Sequence, residues 1–201
     1  AVEAGVRGAP AALHLMQEAA RLAGPANLFV QGVISYALAS WEWSTEPWAT
    51  IQESCQRAIS AAQASENVIL AAGARYKFAM LQMERGDLAA ADELLAQSET
   101  FARSQPNRWP WPIVDSARIG MGRLCYERNE LGAALSLLQE GLELGQRRRN
   151  IYVIIDGYLT LAWVYQAQGD AASAQAALDQ AHALVSKTTR PSTPHLVAAH
   201  Q

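Results

Sequence analysis

A two-residue tag recurs along this chain about every 40 residues: Gly86-Asp87, Asn129-Glu130 and Gly169-Asp170, each set between two Ala-rich amphipathic runs. Glycine, and asparagine as second choice, tolerates the left-handed conformation that ends a helix, and the acid beside it stands at the positive end of the next helix. The tag therefore reads as a turn between two antiparallel helices and not as a catalytic pair. Hairpins repeated at a fixed interval bury their apolar faces by stacking on their neighbours, which makes a solenoid. Such an array has a concave surface for holding something and little provision for chemistry.

Composition supports the same class. Hydrophobic residues make up 50% of the 201, and roughly a fifth are Ala, the best helix former and small enough for close helix contact. The formal charge is only −3 and the basic residues form no stripe, so nucleic acid is not an expected partner of this chain itself. The longest basic run, Arg147-Arg148-Arg149, falls where a helix should end, where cations are favoured by the macrodipole. Cys55 and Cys125 lie far apart, without CxxC spacing or a nearby His, and read as packing residues in a reducing compartment. No stretch is apolar for long enough to span a membrane, and the start of the chain lacks a signal-peptide pattern. A cytoplasmic protein with no membrane partner is expected.

One α-solenoid domain over 1–201 accounts for the chain. Residues 11–24 read as the second helix of a truncated repeat, closed by Gly24-Pro25, and 28–67, 68–109, 110–150 and 151–190 as complete hairpins. Residues 195–201, His195 to Gln201, begin a further apolar-periodic run. Both ends predict an excised piece of a larger polypeptide, and uncapped repeat ends leave self-association open. In the first hairpin, Leu38, Ala39 and Trp41 permit two registers one residue apart. Pro47 suits the start of that hairpin's second helix. From Gln105 to Pro112, three prolines argue against helix, and Trp109 and Trp111 either cap the groove between neighbouring hairpins or form a binding lip.

The fourth hairpin, with Tyr158-x-x-Leu161-Ala162-x-x-Tyr165, then Gly169-Asp170, Ala174, Leu178 and Ala181, resembles a tetratricopeptide repeat. Its small residues let the paired helices approach while the large ones fill the space around the contact. The third hairpin follows more weakly with Arg118, Met121, Gly122, Cys125, Ala134 and Leu138, and the second with Arg75, Phe78, Ala79, Gln82, Ala91 and Leu95. The resemblance implies an all-α, right-handed superhelical solenoid of antiparallel helix pairs. A period of about 40 exceeds the usual 34 or so. The runs Asp156-Gly157-Tyr158, Leu161 to Asp170 and His195 to Gln201 are similar to the helical repeat region of MalT-like bacterial transcription activators. That likeness covers most of the chain, from about Leu13 onward.

Those regulators place an ATP-hydrolysing switch domain before the repeats and a LuxR-type helix-turn-helix after them. This chain has neither a GxxxxGK[ST] loop nor a recognisable helix-turn-helix. No cofactor is expected in it, ATP belonging only to an upstream domain. The resemblance implies a sensor that receives a small-molecule inducer or a regulatory protein.

In a tetratricopeptide array the first helices line the concave face. Projecting their register puts Tyr76, Met80, Met83 and Glu84 there, with Ile119, Arg123, Tyr126 and Glu127, and with Asp156, Leu159, Trp163 and Gln166. Rings among Arg, Asp and Gln suit a sugar or flat ring, or a peptide helix with apolar anchors. The other reading of these positions is packing against the next hairpin. Glu42, Glu84 and Glu127 recur near the ends of first helices, but hairpins stack about 10 Å apart, too far for one metal ion to be shared. His14, His182, His195 and His200 have no HExxH spacing and no Ser or Cys partner. The expectation is a non-enzymatic ligand- or partner-sensing repeat domain, the alternative a constitutive tetratricopeptide scaffold that grips a peptide.

Overall fold

The structure, a computed structural model, describes residues 14–16, 18–42, 47–103 and 111–187; the side chains of 38–42, 101–103, 111–113 and 187 lie outside that description. Every described element is α-helical. They are α1 (14–16 and 18–23), α2 (Leu28–Glu42), α3 (Trp48–Ala64), α4 (Val68–Glu84), α5 (Leu88–Arg103), α6 (Trp111–Glu127), α7 (Leu131–Arg148), α8 (Ile151–Ala167) and α9 (Ala171–Lys187). The fold is an all-α helical repeat in which consecutive helices pack in adjacent pairs. The chain divides into two compact units, Ala1–Phe78 and Ala79–Gln201.

The helices stop where they do because of one recurring joint. Gly86, Asn129 and Gly169 have φ of 81°, 61° and 80°. The residue after each donates its backbone N–H five residues back: Asp87 to Gln82 O, Glu130 to Cys125 O and Asp170 to Tyr165 O, at 2.8–2.9 Å. This is the Schellman pattern, which satisfies carbonyls that the helix end would otherwise leave open. Asp87 and Asp170 then turn their carboxylates to the next helix, accepting from Ala90 N and Ser173 N at 3.0 Å as N-caps. Hydrogen bonds from Ser173, first its hydroxyl and then its backbone N–H, hold the Asp170 carboxyl below the ordinary value. The same joint occurs at Glu66-Asn67 and Arg149-Asn150, between hairpins, with φ of 52° and 59° at the first residue. Sequence reading missed these two because Glu and Arg are poor left-handed residues; the available signal was the Asn that follows.

One correction concerns proline. Helix α6 begins at Trp111 with Pro112 in its first turn, although the proline content of 105–112 argued against helix there. Proline in a first turn forfeits only an N–H that has no helical acceptor. The Arg147–Arg149 run does close a helix: Arg147 pairs with Glu143 in the last turns of α7, Arg149 is the left-handed cap, and Arg148 in addition reaches Asp115. Residues 43–46, 104–110 and 188–201, with Trp109 and His195 among them, lie outside the described residues, as do the side chains of Leu38, Ala39, Trp41 and Glu42.

First and second helices of the hairpins bury themselves differently. In α3 the buried apolar residues Ile51, Cys55, Ala58, Ile59 and Ala62 form one stripe, and α7 repeats the same spacing with Ala134, Leu138, Gly141, Leu142 and Gly145. Each is an amphipathic helix with one face inward. Helix α8 instead buries Val153, Ile154, Ile155, Gly157, Leu159, Thr160, Leu161, Ala162 and Val164, nearly all the way round. In the second unit α6 packs against α5, α7 and α8, and α8 against α6, α7 and α9, so a first helix has neighbours on several sides.

Those neighbours come close because small residues stand at the crossings. A Cβ on Gly122 would lie 2.7 Å from Leu138 Cγ and 3.3 Å from Ala134 O, the α6–α7 contact that the tetratricopeptide pattern marks. The side chain of Ile119 occupies the space left by two further glycines, with Cδ1 2.7 Å from a Cβ on Gly141 and 2.8 Å from one on Gly157. Ile119 thus joins α6, α7 and α8 in one core with Leu138, Leu142, Leu161 and Val164. In the first unit α2 packs on α3, Tyr36 approaches Gly73 of α4, and Trp48 meets Phe78 at 6.2 Å between ring centroids.

A buried carboxylate sits in the second unit. The Asp115 carboxylate is fully buried and accepts from Ser116 N at 2.8 Å and Asn150 Nδ2 at 3.3 Å, with Arg148 Nη1 at 3.8 Å. It fastens the start of α6 to the α7–α8 junction. Burial raises its pKa above the ordinary 3.8, outweighing the downward pull of Ser116, Asn150 and Arg148. A raised folded-state value means that the native state binds the proton more tightly than the unfolded chain. The stabilisation is therefore complete below the unfolded value and lost as pH rises through the folded one.

Three outcomes are expected in urea unfolding. Gly122→Ala should destabilise the protein by about 1–3 kcal/mol through overpacking. Gly132→Ala, at a helical site with nothing within 4 Å, should instead stabilise it by up to about 1 kcal/mol. Relative to Asp115→Asn, the wild-type protein should lose stability as pH is raised above the ordinary carboxylate value of 3.8, and the Asn variant should lack that component.

Candidate functional site

The projected face is partly closed by the packing just described. Tyr76 and Met83 are 9% and 4% exposed, and Ile119 and Leu159 are fully or almost fully buried, so none of the four lines an open surface. The physical reason is the burial of first helices on several sides, which a projection of one inward stripe leaves out. Met80 and Asp156 are half-buried, and Gln166 is exposed. Trp111 is the first residue of α6, with its side chain outside the described residues, and Trp109 lies outside them altogether.

What the fold does bring together lies on α6 and α8 of the second unit. Arg123 and Tyr126 are three apart on α6 and so share a side of the helix. On α8, Trp163 is two turns from Asp156 and about one turn from Gln166. The Tyr126 and Trp163 rings are 5.9 Å apart between centroids and tilted by 32°, within the range of favourable aromatic pairing. The Arg123 guanidinium lies 4.6 Å from the Trp163 ring centre, a cation–π contact. Both rings are half-buried, Tyr126 packing against the α6–α9 core.

Arg123 is itself held by two carboxylates. Its Nη1 is 3.9 Å from Glu84 at the end of α4, and its Nε is 3.4 Å from Glu127, one turn further along α6. The Arg123 side chain is only 13% exposed, while Glu84 and Glu127 keep about a third of their surface in solvent. The spacing of successive hairpins, which argued against a shared metal ion, is bridged here by the Arg123 and Glu84 side chains together. Sequence reading placed all three residues on one face but did not find that they converge. The signal was the pairing of one Arg with acids four residues on and one repeat back.

Other ion pairs also link α6 to its neighbours. Arg118 bridges Glu99 of α5 and Glu140 of α7, and Arg128 reaches Asp92 of α5 at 2.6 Å. Cys55 is buried and Cys125 half-buried, and neither forms a disulfide; burial, and then the neighbouring Glu130, pushes the Cys125 thiol up. Among the described residues no group of three or more His, Cys, Asp and Glu side chains gathers in a way that could hold a metal ion. No described helix is long and apolar enough to cross a membrane.

The arrangement suits holding a ligand better than transforming one: two half-exposed rings, a fixed guanidinium, and carboxylates and an amide at the rim. Comparison with known proteins gives one family. The profile described as "MalT-like TPR region" matches residues 2–201, nearly the whole chain. A search of curated proteins finds no match.

Proposed function

The chain belongs to the family of MalT-like TPR regions, and on that premise we propose that it is the sensory repeat region of a LuxR-type bacterial transcription regulator acting in the cytoplasm. It receives an inducer or a regulatory protein on the face formed by α6 and α8. The observation that carries this reading is the Arg123–Tyr126–Trp163 cluster, a prearranged aromatic and charged surface on two adjacent first helices.

The physical case is one of preorganisation. Stacking and cation–π contacts have fixed the rings before any ligand arrives, so little rotamer entropy remains to be lost on binding. An aromatic platform with hydrogen-bonding groups at its edge fits a sugar face or a planar ring, and Gln166 and Asp156 supply polar groups along α8. Occupancy then passes along the array, because each hairpin rests on its immediate neighbours and a change at one contact alters the next. ATP hydrolysis and DNA reading belong to other parts of such a regulator.

Calorimetric titration of the chain with a panel of oligosaccharides, aromatic acids and short peptides tests this. A member of the panel should bind, and Tyr126→Ala with Trp163→Ala should weaken it about tenfold or more, the combined worth of two aromatic contacts. Unchanged affinity in the double variant would remove the α6–α8 face as the site. Binding confined to peptides would favour a constitutive interaction scaffold.

A further inference from the structure

Arg123 links three helices of the candidate site. Its guanidinium meets Glu84 of α4, Glu127 of α6 and the ring of Trp163 on α8. The group is planar and rigid, so these contacts cannot each be adjusted independently. The ion pairs, at 3.9 and 3.4 Å, are longer than the close Arg128–Asp92 contact at 2.6 Å just past the end of α6. The guanidinium is thus shared between an aromatic face and two acids, hydrogen-bonded to Glu127 at 3.4 Å and within ion-pair reach of Glu84.

We infer that Arg123 is a positioning residue through which occupancy of the Trp163 face is coupled to the contact between α6 and the end of α4. The inference rests on the reading of the α6–α8 face as the ligand site and adds how that site reports its state. A ring or sugar laid on the side of Trp163 that Arg123 covers has to displace the guanidinium. A displaced guanidinium changes its distance from Glu84 and Glu127. By linkage the reverse holds for binding: altering Glu84 alters the affinity for whatever occupies Trp163. Arg118 and Arg128 also tie α6 to α5, through Glu99 and Asp92, but the described contacts give neither of them a place against Trp163. They hold the helices together without reading the site.

The coupling is testable in the full chain with no ligand added, so its failure is separate from failure of the titration. A double-mutant cycle of Glu84→Gln and Trp163→Leu is measured by urea unfolding. With Arg123 present, the two effects on the unfolding equilibrium constant should depart from simple multiplication by at least about twofold, as for residues that share a partner. In an Arg123→Met background they should multiply. Asp92→Asn, whose acid shares no described partner with Trp163, should multiply with Trp163→Leu in both backgrounds.

A spectroscopic readout serves where a variant unfolds too readily for the cycle. The Trp163 indole N–H resonance, assigned by its loss in Trp163→Leu, should shift in Glu84→Gln when Arg123 is present and stay fixed when residue 123 is Met. Multiplicative effects with Arg123 in place, an equal departure without it, or a resonance shift independent of residue 123 would each overturn the inference. A positive cycle beside an empty titration would show the coupled joint and remove the ligand-site reading.

Discussion

The approach of helix to helix at glycine is the contact on which the rest of the second unit depends. Gly122 admits Leu138, and Gly141 and Gly157 together admit Ile119. A methyl group at any of the three would lie within 2.7–2.8 Å of a neighbouring side-chain carbon. Because α6 can sit close to both α7 and α8, Arg123 and Tyr126 reach Trp163. Larger residues at the crossings would move the helices apart and leave the rings as separate surface aromatics. The candidate site is therefore a product of small residues that contribute no side chain to it.

Polar interactions play a secondary and more local part. The buried Asp115 carboxylate is tied to Ser116, Asn150 and Arg148, yet burial still raises its pKa, so its desolvation is only partly offset. Its value lies in fixing where α6 starts relative to the α7–α8 junction. The more exposed pairs, Arg118 with Glu99 and Glu140 and Arg128 with Asp92, contribute about 1 kcal/mol or less each, as half-solvated ion pairs do. Apolar packing holds the helices, and charge sets their offset.

The sequence made some of this legible for clear physical reasons. Gly86, Asn129 and Gly169 could be read as helix ends because left-handed backbone strongly favours those residue types, and all three have positive φ. Gly122 with Ala134 and Leu138 could be read as a helix crossing because the tetratricopeptide spacing puts small against large, and that is the contact found. The exposure of Tyr76, Met83, Ile119 and Leu159 could not be read in the same way. Helical period gives the direction of a side chain, while burial depends on how many neighbours the helix has, and first helices have more than second ones. The convergence of Glu84 and Glu127 on Arg123, and of Arg148 on Asp115, depends on the offset between stacked hairpins. No local spacing encodes that offset.

The two-residue joint carries a consequence for how such an array changes over evolutionary time. At Asp87 and Asp170, and at Asn67, one residue completes the stop of one helix and starts the next by capping it. Inserting a single residue there would cost both functions at once, so the joints should resist length variation. A segment cut at one joint and spliced in at another would arrive with both ends already matched, since the backbone there is nearly the same. Lineages built this way are free to gain, lose or shuffle whole repeats as cassettes, while point insertions are pushed to the longer connections.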